Sequence, residues 1–311
     1  MTATTLASIH HEWAPGGTML EELRWKTSVS TTCLHAAACR VAGLAAAHPQ
    51  IAAILDPAAD ALATEIDAAG WPVPEVLPEL TGLASELDSN GELVKRAIAR
   101  LHLPIADVTA PVRIAGAIAD LEAAMQRAAP GLAEELAVRV RPIREQWEAR
   151  GPGMLIEIAR LTEPLAIPSA AEIVLVAPYV GGAGNAFAGA NRVVLEAVLF
   201  NPLPALPEAV RLAWLISQLN ADLPWMTDVM PFARAREAMQ LAMIPPVLAA
   251  AEAVELANCD EPTLAAAIAA WQPGVASEDA APKLWSWWNA WLDHATKWPV
   301  AVAALEQLTL R

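Results

Sequence analysis

A mainly α-helical protein with a small β-sheet in its second half is the fold class the sequence predicts, on three observations. Alanine and leucine dominate the 311 residues while β-branched runs are scarce, which favours helix over sheet. Most apolar stretches carry helical spacing and are opened or closed by one of 25 prolines. One segment alone reads as a strand, residues 173–176 (Ile-Val-Leu-Val), and it runs into a glycine-rich loop, Gly181, Gly182, Ala183 and Gly184.

The elements follow in order. Residues 18–47 predict a long helix that ends before Pro49. Residues 50–69 predict a second, stopped by Gly70, with Trp71, Pro72, Val73 and Pro74 as connector. A third, 75–87, ends at the turn signal Asp88, Ser89, Asn90, Gly91. Helices at 92–101, 111–128 and 130–149 follow, the last two opening on proline at a favoured first-turn position. Arg150, Gly151, Pro152 and Gly153 form the clearest internal punctuation, so the expected domains are a helical one, 1–150, and a helical one with the sheet and glycine loop, 151–311.

The second half opens with a helix at 154–161, then the strand, the glycine loop and an extended or helical run at 192–200. A proline-rich link leads into a helix at 207–220, and helices at 232–243, 246–257, 262–271 and 282–297 complete the chain.

Composition narrows the function. A formal charge of −15 argues against nucleic-acid binding, which needs clustered Lys and Arg facing phosphates. Residues 173–191 carry no charge, but Pro178 and several glycines and asparagines suit a strand and loop better than a membrane span. Met1 to Trp13 shows neither a basic nor an apolar signal region, and three cysteines fit a reducing compartment. The expectation is a soluble, cytoplasmic protein without nucleic-acid or membrane partners.

The glycine loop follows a strand as a phosphate cradle would. A Walker loop needs Lys-Ser/Thr after its last glycine, and Asn185, Ala186 and Phe187 stand there instead. A turn that lets strand and helix approach closely is the expected role. On the helix at 207–220, Arg211 and Gln218 share one face of an otherwise apolar surface. A buried Arg211 requires a carboxylate, with Glu196 nominated first and Asp222 second. Two readings stay open: an ion pair that locks strand to helix, or a pocket lined by Asn185, Asn191, Glu196, Arg211, Gln218, Asn220 and Asp222.

This order of strand, loop, second edge-like run and helix resembles the core of the gluzincin-type metallopeptidases, over residues 171–240. In that family a helix bears His-Glu-x-x-His, two zinc ligands one turn apart and a general base. The matching residues are Arg211, Leu212, Ala213, Trp214 and Leu215, so both ligands and the base are missing. The resemblance implies a metal-free pseudo-peptidase and carries no zinc hydrolysis over.

Other histidines do not restore the motif. His11 and Glu12 begin like it, but no second His follows and Pro15 interrupts the helix. His35 and Cys39 share a helix face four residues apart, expected as a small buried Cys beside a surface His unless His10 or His11 folds over them. No metal and no cofactor is therefore expected, and catalytic residues are unassigned. Ser169, Ser217 and Ser286 lack the context of a Ser-His-Asp set.

Twelve of the sixteen aromatic residues are Trp, and the last helix gathers several. At about 100° per residue, Trp287, Trp298, Trp291, Leu284, Ala295, Trp288, Leu292 and Trp285 fall in one arc of roughly 160°. Trp288 and Leu292 are expected in the core. The arc as a whole is expected to dock on the core; the rival is a partly exposed face, with Trp285 and Trp287 at the edges of the arc, that recruits a partner or closes over an apolar ligand. The function expected is non-catalytic binding or scaffolding, the alternative an enzyme or ligand-binding protein with a pocket around Glu196, Arg211 and Asn220.

Overall fold

The computed structural model describes residues 20–273, 279–294 and 296–309, and among these the chain forms α-helices and one four-stranded sheet. The mainly helical class with a small sheet is thus observed. His10, His11, Glu12, Pro15 and Ala295 lie outside the described residues.

The helix expected at 18–47 is instead strand β1 (Glu22–Thr27) followed by α1 (Val29–Val41). Ser28 separates them: its backbone is extended and its hydroxyl accepts the N–H of Thr31 at 3.0 Å, an N-cap that starts the helix there. Helices α2 (Pro49–Ala68), α3 (Val73–Leu83), α4 (Asn90–Arg100) and α5 (Ala110–Ala128) fall within a few residues of expectation.

Helix α6 (Leu132–Leu161) runs straight through the expected domain boundary. Pro152 removes one N–H and the flanking glycines are poor helix formers. Packing overrides this locally. The ring of Trp147 lies over Gly151, where a Cβ would come within 2.4 Å of ring carbon Cδ2. Glycine there makes room for the indole.

Strands β2 (Ala170–Val176), β3 (Gly184–Phe187) and β4 (Arg192–Glu196) complete the sheet in the order β1-β2-β4-β3. β2 and β4 are parallel with Val174 opposite Val194 and Val176 opposite Glu196; β3 is antiparallel to β4. Every residue of β4 is buried, as expected for an inner strand paired on both edges. Val174, Val176 and Val194 form a small core under Phe187.

Helices α7 (Glu208–Ile216), α8 (Pro224–Thr227), α9 (Phe232–Ala242), α10 (Ile244–Ala253) and α11 (Glu261–Trp271) follow. The last expected helix is two: α12 (Ala280–His294) and α13 (Trp298–Thr309), the second opening on Trp298 and Pro299.

The chain divides into two units that are not the expected 1–150 and 151–311. One joins 23–146 to 171–202, so the sheet and glycine loop belong with the first helices. The other comprises, among the described residues, 20–22, 147–170 and those from 203 to 309. Long-range strand pairing overrides order along the chain: β1 sits beside β2, far apart in sequence.

In the helix–sheet unit α1 packs on α2 and α3, and α5 on α2 and α4, around Leu34, Leu62, Leu80, Leu93 and Ile118. In the second unit tryptophans do this work. Trp214 stacks on Trp271 with centroids 5.0 Å apart, and Trp298 makes edge-type contacts with Trp287 and Trp291 at 5.5 and 5.3 Å. Trp288 is buried as expected, whereas Leu292 is half-buried. Trp287, expected exposed, is buried and donates to the carbonyl of Ala301 at 3.0 Å; Trp285 is half-buried. The expected interaction face is therefore mostly core, because α13 covers it. No described helix is long and apolar enough to cross a membrane.

Candidate functional site

Glu196 is the centre of the most elaborate polar arrangement in the helix–sheet unit. It ends β4, where the strand leaves it 1% exposed. An isolated carboxylate there would be very costly, so its partners decide the site. Four successive backbone N–H groups converge on it. Tyr179 and Val180 donate to Oε1 at 2.8 Å each; Gly181 and Gly182 donate to Oε2 at 2.8 and 2.6 Å. Gly181 and Gly182 have φ of +95° and +132°, backbone that L side chains rarely adopt, and this is what turns consecutive amides toward one point.

The glycine loop is therefore an anion cradle, and its anion is internal. The sequence-based role, close approach of strand and helix, missed this. The available signal was two adjacent glycines after one strand and a lone carboxylate at the end of the next.

A fifth donor comes from α1. His35 Nε2 lies 3.0 Å from Glu196 Oε1 and 3.5 Å from the sulfur of Cys39, one turn further on. His35 is fully buried, which corrects the expected surface His; nearly all of α1 from Thr31 to Cys39 is buried, so the helix has no open face here. Burial disfavours an imidazolium, but the Cys39 sulfur and the Glu196 carboxylate outweigh it and raise the pKa of His35. Burial likewise pushes the Glu196 carboxyl up, and His35 with the loop N–H groups holds it well below the usual carboxylate range. Cys33, on the same helix, is pushed up to about 12 by burial and the Glu122 charge.

The surroundings brace this cluster. Thr32 accepts the N–H of Ala177 at 3.3 Å, and Ala47 donates to the Tyr179 carbonyl at 2.7 Å. The Tyr179 hydroxyl donates to Asp56 at 3.0 Å, which Arg40 also approaches. On the far end of β4, buried Arg192 pairs with Glu172 at 2.7 Å and with Glu86 at 2.6 Å.

The remaining candidates separate. Glu196, Asn185 and Asn191 belong to the helix–sheet unit; Arg211, Gln218, Asn220 and Asp222 belong to the other. Asn185 and Asn191 are exposed, and Asn191 fills a left-handed turn position at φ 48° before β4. Arg211 is buried as expected, but its carboxylate is Glu208, one turn earlier on α7 at 3.5 Å. The nominated Glu196–Arg211 pair is replaced because Glu196 is already satisfied by five donors. Gln218 donates to the Trp214 carbonyl and Asn220 to that of Leu165, each at 2.9 Å, and Asp222 is half-buried.

The chemistry of the cluster follows from its geometry. A relay to a nucleophile uses opposite ring nitrogens for acid and nucleophile. Here Nε2 is the nearer nitrogen to both Glu196 and Cys39, while Nδ1 is 4.0 Å from the sulfur. Compared with known proteins, the chain matches no family model, no curated protein and no solved structure.

Proposed function

We propose that this chain is a non-catalytic binding or scaffold protein, related in pattern to a pseudo-peptidase without zinc at α7. One observation carries the reading: the glycine loop, the feature most like a ligand cradle, is closed by the protein's own Glu196. A carboxylate held below its usual range by five donors is a poor general base.

An exposed apolar patch supports the reading. Val108, just before α5, and Val112, in its first turn, are 82% and 74% exposed, and Pro111 between them joins Ile98, Leu103, Ile105, Lys95 and His102 in lining a groove of about 450 Å³. Cross-linking in the native cell, then reconstitution of the identified pair from purified components, tests the reading. Val108→Asp with Val112→Asp is expected to weaken that complex at least tenfold while changing stability by less than about 0.5 kcal/mol. Turnover by the purified chain on peptide, ester or phosphoester substrates, abolished by Glu196→Gln in a folded protein, would overturn it.

A further inference from the structure

We propose that His35, Cys39 and Glu196 bind one divalent metal ion of the zinc class. His35 and Cys39 present their donors from one face of α1, and Glu196 meets them from the end of β4. The three donor atoms lie within 4.8 Å of one another, and all three residues are buried.

The His35 ring makes the discriminating geometry. Its Nε2 lies 3.0 Å from Glu196 Oε1 and 3.5 Å from Cys39 Sγ. A single N–H on Nε2 would be divided between the two acceptors, whereas a metal bound to Nε2 can bond to both. With Zn–N and Zn–O of about 2.0–2.1 Å and Zn–S of about 2.3 Å, tetrahedral angles separate nitrogen from sulfur by about 3.6 Å and nitrogen from oxygen by about 3.4 Å. The first separation is already present. The second requires His35 and Glu196 to part by a few tenths of an ångström.

With a dication bound, a neutral imidazole, a carboxylate and a thiolate bring the cluster to zero net charge, so burial does not penalise the loaded site as a whole. Nε2 binds a metal only without its proton and sulfur only as thiolate, so binding is coupled to proton release. Glu196 Oε1 gives up only its His35 hydrogen bond. The N–H groups of Tyr179, Val180, Gly181 and Gly182 stay on the carboxylate and aim it, as outer hydrogen bonds do for metal ligands. A sulfur and an imidazole select zinc over magnesium or calcium, and three protein donors leave a fourth tetrahedral position for water. Such an ion would fasten α1 to β4 and the glycine loop. It is separate from the α7 segment with the peptidase-like pattern, and it departs from the metal-free expectation drawn from sequence.

The test uses the full chain without a histidine tag. Its metal content is measured, and chelator-treated protein is then titrated with Co²⁺. The expected result is saturation at one Co²⁺ per chain, with a thiolate-to-cobalt charge-transfer band that Zn²⁺ displaces. Cys39→Ser should lose the band, and Cys259→Ser should keep it. No band on the wild-type chain, or a band that survives in Cys39→Ser and disappears in Cys259→Ser, overturns the proposal.

Discussion

Glu196 draws its five donors from two distant stretches of chain, the loop after β2 and helix α1. Removing its charge strands the buried His35 and leaves four amides facing a poorer acceptor. Glu196→Gln is expected to cost about 3–5 kcal/mol, the usual result of breaking a buried pair from one side. Urea denaturation of the metal-free protein checks this: the midpoint should fall with an unchanged slope. A loss under about 1 kcal/mol would mean the loop relaxes around the amide and the pair is not a lock. Part of this was legible in sequence, since a lone carboxylate in an apolar run must be paired. Its partner was not. Arg211 had the right charge; the two adjacent glycines hinted at converging amides, but nothing local marks His35 as the fifth donor, because it reaches Glu196 from 161 residues away.

At the scale of elements, the helices were read well where proline or a capping residue marks an end, as at Pro49, Ser89 and Pro111. They were misread where a long-range partner decides. Glu22–Thr27 has no strong strand signature and becomes β1 through its neighbour β2. Helix α6 ignores the glycines and proline that should have stopped it. Gly151→Ala tests which force governs there. Helix propensity alone predicts a gain of about 1 kcal/mol. The Cβ would overlap the Trp147 ring, and overpacking of that kind costs about 1–3 kcal/mol, so a net loss is expected. A rise in melting temperature would show that the ring moves aside freely.

For the whole molecule, the second unit depends on its last two helices. Trp287, Trp288, Trp291 and Trp298 are buried there, and a buried Trp is worth about 3–5 kcal/mol. A chain ending before Ala280 should expose the faces of α9, α10 and α11 that α12 and α13 pack against, and aggregate. Size-exclusion chromatography and thermal unfolding check this. A truncated protein that stays monomeric with an unchanged transition would make α12 and α13 an appendage.

The sequence by itself determined what local interactions control: the helical class, most helix ends, the single β-like run, and the burial of Arg211 and Trp288. The tertiary structure alone decided which stretches share a unit, that α13 buries Trp287, and that the glycine loop closes on Glu196. Each of these depends on contacts between residues far apart in the chain. Their free energy comes from packing and desolvation after the chain has closed on itself, which no local spacing of residues encodes.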